Sequence, residues 1–266
     1  MQLALTRSGP RLTPRLLGLP EEVIHLLVGL AISPALALLP FLELWGWFFQ
    51  ALVHETGHTL AAWAVGVPAL PTLAITAEAA TLHGEQLVSL SLVAWVALLV
   101  LCLRRTEGLA RCAGLAALAV VHPLVAHSSL RETWHLVAGH AAELAVAGLF
   151  LARTLPGTRL HDPAHEHLER GLYSVLGWFL IGRNLLLAGG LIASPAARQG
   201  YTEARSHGIE NDLARLAELW GTSLEAPAIA LALGASLVAP LVVARWTRIE
   251  AGRRARVRYL RGSSSG

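Results

Sequence analysis

Apolar stretches of near-bilayer length recur along the chain, at residues 23–39, 41–67, 87–103, 109–125, 134–152, 172–193 and 226–244. An α-helix needs about 20 apolar residues to cross the hydrocarbon core of a bilayer, so these stretches make lipid the solvent to which the sequence answers. Only helices and closed barrels satisfy every backbone group in lipid, and the ten-residue alternation of barrel strands is absent. The expected fold is therefore all-α, a polytopic membrane helix bundle with six or seven transmembrane helices. Composition agrees: 54% hydrophobic and 15% charged residues, with a mean hydropathy of +0.53, exclude an ordinary soluble domain, a disordered chain and a disulfide-stapled secreted module.

Residues 1–261 read as a single integral-membrane domain. N-terminal helices occupy 21–67, a connection 68–86, central helices 87–193, a polar connection 194–225, and a last helix with an arginine-rich tail 226–261. Gly262-Ser-Ser-Ser-Gly266 reads as a flexible tail or an expression remnant and stands outside the fold. In the first apolar stretch Ser33-Pro34 interrupts and Pro40 terminates, while Arg7, Arg11, Arg15 and Ala35-Leu36-Ala37 resemble a signal peptide and its cleavage site. Its charged region is overlong for that, so a retained helix or re-entrant hairpin is expected. The connection over 68–86 contains Leu73-Ala-Ile-Thr76, which reads as a short extended segment. The later connection contains an amphipathic helix over 212–220, with Leu213, Leu216, Ala217 and Trp220 at helical spacing; it is expected to lie on the membrane surface or cap the bundle.

All 21 basic side chains are arginine, and the net charge is +3. The arginines from Arg245 to Arg261 follow the last apolar stretch, which makes them a juxtamembrane anchor on anionic lipid rather than a nucleic-acid site. Arg104, Arg105 and Arg111, then Arg153, Arg159 and Arg170, then the tail, fall on alternate connections, the cytoplasmic ones under the positive-inside rule. The same count puts Arg7, Arg11 and Arg15 outside if the first stretch spans, so orientation stays open. The expected setting is a bacterial cytoplasmic membrane. Cys102 and Cys112 carry no metal-motif spacing.

Within the second apolar stretch lies His54-Glu55-Thr56-Gly57-His58, the HExxH pattern of zinc hydrolases. Four residues make about 400° of helix, so both imidazoles project from one face and can share a cation, with Glu55 beside them to deprotonate a water. Three ionisable groups in five positions are expensive in a membrane helix, which favours a functional site over incidental packing. Glu43, Gln50, His54 and His58 form one stripe, and the small residues Ala51, Gly57, Ala61 and Ala62 let other helices approach.

His54-Glu55-x-Gly57-His58, followed by Ala61, Ala62 and Gly66-Val67, resembles the active-site helix of site-2-protease-type intramembrane metalloproteases. The resemblance covers about one helix. It implies a Zn2+ peptidase acting on a transmembrane protein substrate, with His54 and His58 as ligands and Glu55 as general base. It also implies a later aspartate, usually followed by glycine, as third ligand. The two aspartates of this sequence depart from that pattern, since Asp162 precedes proline and Asp212 precedes leucine.

A catalytic zinc takes three protein ligands and keeps one open position. Glu143 is the first choice for the third, because it lies in an apolar helix with Gly139 and Ala147 one turn to either side. His140 can replace it or hold it as a supporting partner. Asp212 is the better chemical match to the family's aspartate, yet its position at a helix start has a local explanation in capping. Arg183-Asn184, midway along another apolar stretch, can serve a developing oxyanion, or Arg183 can pair with Glu143 or Glu43. The run from His161 to His167 reads as a solvated helix start with Asp162 as cap and Pro163 at the first helical position. The rival functions are a catalytically degenerate scaffold that binds transmembrane helices and a non-enzymatic metal or haem protein drawing on the 12 histidines.

Overall fold

Proline and glycine set the helix boundaries. The computed structural model describes residues 15–16, 19–74, 78–105, 107–155, 166–204 and 211–262. A pairing of β1 (Arg15–Leu16) with β2 (Leu19–Pro20) leads into α1 (Glu21–Ile32). The chain breaks at Ser33-Pro34, makes one turn in α2 (Ala35–Leu38), and enters α3 (Pro40–Ala64) through Pro40, whose missing N–H has no intrahelical partner to lose there. Between Val23–Leu38 and Pro40–Ala64 the path bends by 101°. α3 ends in a Schellman motif: the Val67 N–H donates to Ala62 O (2.8 Å) and the Gly66 N–H to Trp63 O (3.0 Å). Gly66 has φ +85°, and a Cβ there would lie 2.6 Å from Ser91 Cβ, so conformation and contact both require glycine.

β3 (Ala69–Ala74) and β4 (Glu78–His83) then form an antiparallel hairpin, in register from Ala69↔His83 to Ala74↔Glu78. The extended segment expected at Leu73 belongs to this hairpin; Ile75 and Thr76 lie outside the described residues. The remaining elements are α4 (Val88–Arg105), α5 (Gly108–Ala126), α6 (Leu130–Thr154), α7 (Glu166–Ala193), α8 (Pro195–Glu203), α9 (Asp212–Trp220) and α10 (Glu225–Gly262). Of the histidine-rich run, residues 161–165 lie outside the described residues, and α7 begins at Glu166.

Among the described residues three helices, Leu130–Thr154, Glu166–Ala193 and Glu225–Gly252, are long and apolar enough to cross a membrane, or four if the bent pair Val23–Leu38 and Pro40–Ala64 is one span. That is fewer than the six or seven expected. The apolar parts of α4 and α5 are shorter, and the first two stretches join through a 101° bend. Two apolar cores hold the long helices together. Ala147 and Leu151 of α6 meet Phe179, Leu180 and Ile181 of α7 and Ala235 of α10, while Ala188 and Leu191 of α7 meet Leu213 of α9 and Ala228 and Leu231 of α10. Large apolar side chains such as Leu92, Val93, Val120, Leu186, Leu233 and Leu241 point outward, an arrangement that suits lipid rather than water.

The α6–α7 pair is locked at one end by buried Arg170. Its Nη1 donates to the carbonyls of Thr154 (2.9 Å) and Leu155 (2.7 Å), which α6 leaves unpaired at its C-terminus, while Nη2 pairs with Glu166 (2.8 Å). Arg170→Met strips several acceptors of their donor at once and is expected to cost about 2–4 kcal/mol, read as a lower thermal midpoint in detergent. Exposed Gln199→Ala, in the same measurement, is expected to stay within about 0.5 kcal/mol of the parent.

Candidate metal centre

Two glycines bring the HExxH helix against α6. A Cβ at Gly57 would lie 2.5 Å from Ala138 O and from Ala142 Cβ, and one at Gly139 would lie 2.5 Å from His54 Nε2 and 2.6 Å from His58 Nε2. Backbone contact at these points sets both imidazoles directly on the α6 surface.

Each ring is oriented from behind. His58 Nδ1–H donates to His135 O of α6 (2.9 Å), and His54 Nδ1–H donates to Glu143 Oε1 (2.7 Å). Both Nε2 atoms are thereby turned to one point, where they meet Asp212 Oδ2 at the start of α9. The separations are 3.0 Å for His54 Nε2 to His58 Nε2, 3.0 Å for His54 Nε2 to Asp212 Oδ2, and 2.9 Å for His58 Nε2 to Asp212 Oδ2. With both Nδ1 atoms acting as donors, neutral rings present lone pairs to each other and to a carboxylate. Three facing acceptors repel unless a cation sits among them, either a proton on a ring or a metal ion. His140 extends the cluster: it offers a ligand atom within 4.8 Å of those of His54 and Asp212, and its Nδ1–H is committed to Asn184 Oδ1 (3.0 Å), leaving Nε2.

Glu143, the expected third ligand, stands elsewhere. It lies behind His54, bonded to the ring nitrogen that faces away from the shared point, and its Oε2 accepts from Asn184 Nδ2 and from Gln50 Nε2 (3.3 Å). At 1% exposure this carboxylate is shielded from bulk solvent, and its oxygens are taken up by the side chains that hold it. The carboxylate at the shared point is that of Asp212, whose capping explanation fails on geometry. Asn211, not Asp212, is the N-cap of α9, and its Nδ2 donates to Tyr201 O and Ala204 O (both 2.6 Å), leaving Asp212 to face the histidines. Burial raises the Asp212 carboxyl, but when the facing imidazoles carry a proton on Nε2 their hydrogen bonds outweigh it and hold the group below the usual carboxylate range. It is thus ionised at neutral pH, as a ligand must be.

Glu55 lies on the other side of the same helix position, buried, with Oε2 accepting from Thr81 Oγ1 of β4 (2.6 Å). Both Glu55 and the His54–His58–Asp212 cluster line a cavity of about 200 Å3, walled by Ala79, Ala80 and Thr81 of β4. His83 at the end of β4 lines it too; burial first, and then proximity to His58 and Arg215, push its imidazole below the ordinary value. Asn184 is used up by Glu143, His140 and Leu180 O (2.9 Å), so it is not an oxyanion donor, and Arg183 Nε donates to Gln50 Oε1 (3.0 Å) rather than to a carboxylate. Thr81, His83, His135 and Arg215 were not singled out from the sequence. His135 had a signal, since His135, Gly139 and Glu143 recur every four residues along α6, the stripe that faces α3.

The geometry ranks the variants. Asp212→Ala is expected to abolish metal binding at this centre, whereas Glu143→Ala, which removes only the support of His54, is expected to weaken binding there about 10–100-fold. Gly139→Val, which drives a side chain into both rings, is expected to resemble Asp212→Ala; metal titration of the chelator-stripped protein reads all three.

Comparison with protein-family models, curated proteins and solved structures finds no match, so the geometry of the site carries the functional reading.

Proposed function

We propose that the chain is an intramembrane zinc metallopeptidase that hydrolyses peptide bonds of membrane-embedded substrates. The observation that carries this reading is the convergence of His54 Nε2, His58 Nε2 and Asp212 Oδ2, 2.9–3.0 Å apart, beside the buried carboxylate of Glu55. Two imidazoles and one carboxylate are the donor set of many catalytic zinc sites, in which ligand distances of about 2.0–2.1 Å imply ligand separations of roughly 3.3 Å. The three atoms need to part by only a few tenths of an ångström to meet that. Asp212 also takes the place of the aspartate that the resemblance to site-2-protease-type enzymes implies, although Leu213 follows it where those enzymes have glycine.

Zinc, when bound, supplies the Lewis acidity that makes a water nucleophilic at neutral pH and polarises the scissile carbonyl. The chain's own groups do the rest. Glu143 and the His135 carbonyl keep both imidazoles in the tautomer that presents Nε2. Glu55 accepts the proton of the attacking water and returns it to the departing amine, and Thr81 holds that carboxylate in place. A transmembrane substrate must unwind to expose its bond. β4 is suited to receive it, because among the described residues one edge of β4 has no partner strand and Ala79–Thr81 wall the cavity. In this reading the protein is multi-pass, with α4 and α5 crossing as shorter helices towards the six or seven spans that the sequence expects, and lipid and a transmembrane protein are its partners.

Glu55→Gln separates hydrolysis from metal binding. It is expected to keep near-stoichiometric zinc while cleavage of a panel of single-pass membrane proteins in proteoliposomes falls by at least about 10²–10⁴-fold. Wild-type protein that takes up no zinc after reconstitution would sink the reading.

A further inference from the structure

A second group of metal-ligating side chains lies at the far end of α7. Glu21 and His25, one turn apart on α1, and His167 in the first turn of α7 each offer a ligand atom within 4.8 Å of the others. Seventeen residues of helix separate His167 from Asn184, about 26 Å at 1.5 Å per residue, so this group is remote from the HExxH cluster. From this geometry we infer that Glu21, His25 and His167 form a second, exchangeable site for a zinc-like transition-metal ion, which clips α1 onto α7.

The donors and their orientation carry the inference. His25 Nδ1–H donates to Glu21 O (3.0 Å), which fixes the tautomer and leaves Nε2 as the ligand atom. The His25 and His167 rings stack with centroids 5.7 Å apart and planes at 13°, and Glu21 Oε1 lies 2.5 Å from His167 Nδ1. An ion pair accounts for Glu21 and His167, but it gives no reason for a second imidazole stacked on the first, which two protonated rings would resist. One cation shared by two imidazoles and a carboxylate satisfies all three. This donor set suits zinc and its neighbours in the first transition row, and it is poor in the oxygens that calcium or magnesium requires.

The scaffold beneath the group is rigid. Trp178 Nε1 of α7 donates to Leu26 O of α1 (3.0 Å), and the helices approach so closely that a Cβ at Gly29 would overlap Ser174. The ligands are thus held together before any ion arrives, which lowers the ordering cost of binding. His167 is 75% exposed, so the site opens to solvent and exchanges its ion, unlike a closed four-ligand structural site.

The test is zinc titration of tag-free, chelator-stripped, full-length protein in detergent, with Asp212→Ala as the background lacking the first centre. The expected result is one zinc per chain in that background, none in Asp212→Ala/His167→Ala or Asp212→Ala/His25→Ala, and a zinc-dependent rise in melting temperature only where the ion binds. His167 is exposed enough that its loss leaves the packing untouched, so a folding failure cannot imitate the result. Background protein that binds no zinc, or that binds it equally with and without His167 and His25, overturns the inference. Wild type and Asp212→Ala that each bind one zinc, lost with His167 or His25, would instead remove the hydrolase reading while leaving this site standing.

Discussion

The hydrogen bond between Glu143 and His54 is the contact on which the centre depends. A carboxylate at 1% exposure is costly to hold in a helix bundle and persists only with its oxygens engaged. Here α3 supplies the His54 N–H and Gln50, and α7 supplies Asn184, so one buried anion on α6 ties three helices together. An apolar residue at position 143 would pack as well or better. What it would not do is fix which nitrogen of His54 faces the shared point, and the cost of burial is therefore spent on orientation.

The same network explains why the helices touch where they do. Gly57 and Gly139 lie where α3 and α6 meet, and any side chain at either position would push the imidazoles off Glu143 and the His135 carbonyl. Gly177 does the same for α6 and α7, where a Cβ would meet Leu151 Cδ2 at 2.9 Å. In lipid, apolar surface alone gives no preference between helix faces, so small residues and polar pairs decide the register of contact. The stripe of His135, Gly139 and Glu143 is both packing surface and supporting shell.

What the sequence made legible follows the range of the signals. The HExxH spacing acts over one helical turn, and the Ser33-Pro34 interruption and the Pro40 helix start each over a residue or two, so helix, motif and bend could all be read locally. The polarity of Glu143 in an apolar helix marked it as important, but a carboxylate that binds a metal and one that binds a metal-facing histidine carry the same sequence signature. Asp212 is 158 residues from His54 and sits where a helix begins, so capping competed with ligation until the backbone showed Asn211 in the capping position. Thr81 on β4 was silent, because one hydroxyl in a short extended segment has no periodicity to betray it. The number of spans is less legible, because hydropathy windows do not register a 101° bend or say how much of a helix faces lipid.

Of the three groups that meet at the shared point, Asp212 alone comes from outside the HExxH helix. His54 and His58 belong to a long apolar helix, whereas Asp212 opens a short amphipathic one that reaches the cluster only by docking. Leu213 and Leu216 bury its apolar face, Arg215 pairs with Glu132 of α6, and Asn211 ties its start to the end of α8. A metal ion that binds all three ligands must favour the docked arrangement by its differential affinity for it, and docking must by the same amount favour the metal. Loading of the centre and seating of α9 are then one equilibrium, so the packing of Leu213 and the Arg215–Glu132 pair tune metal affinity without touching the ion.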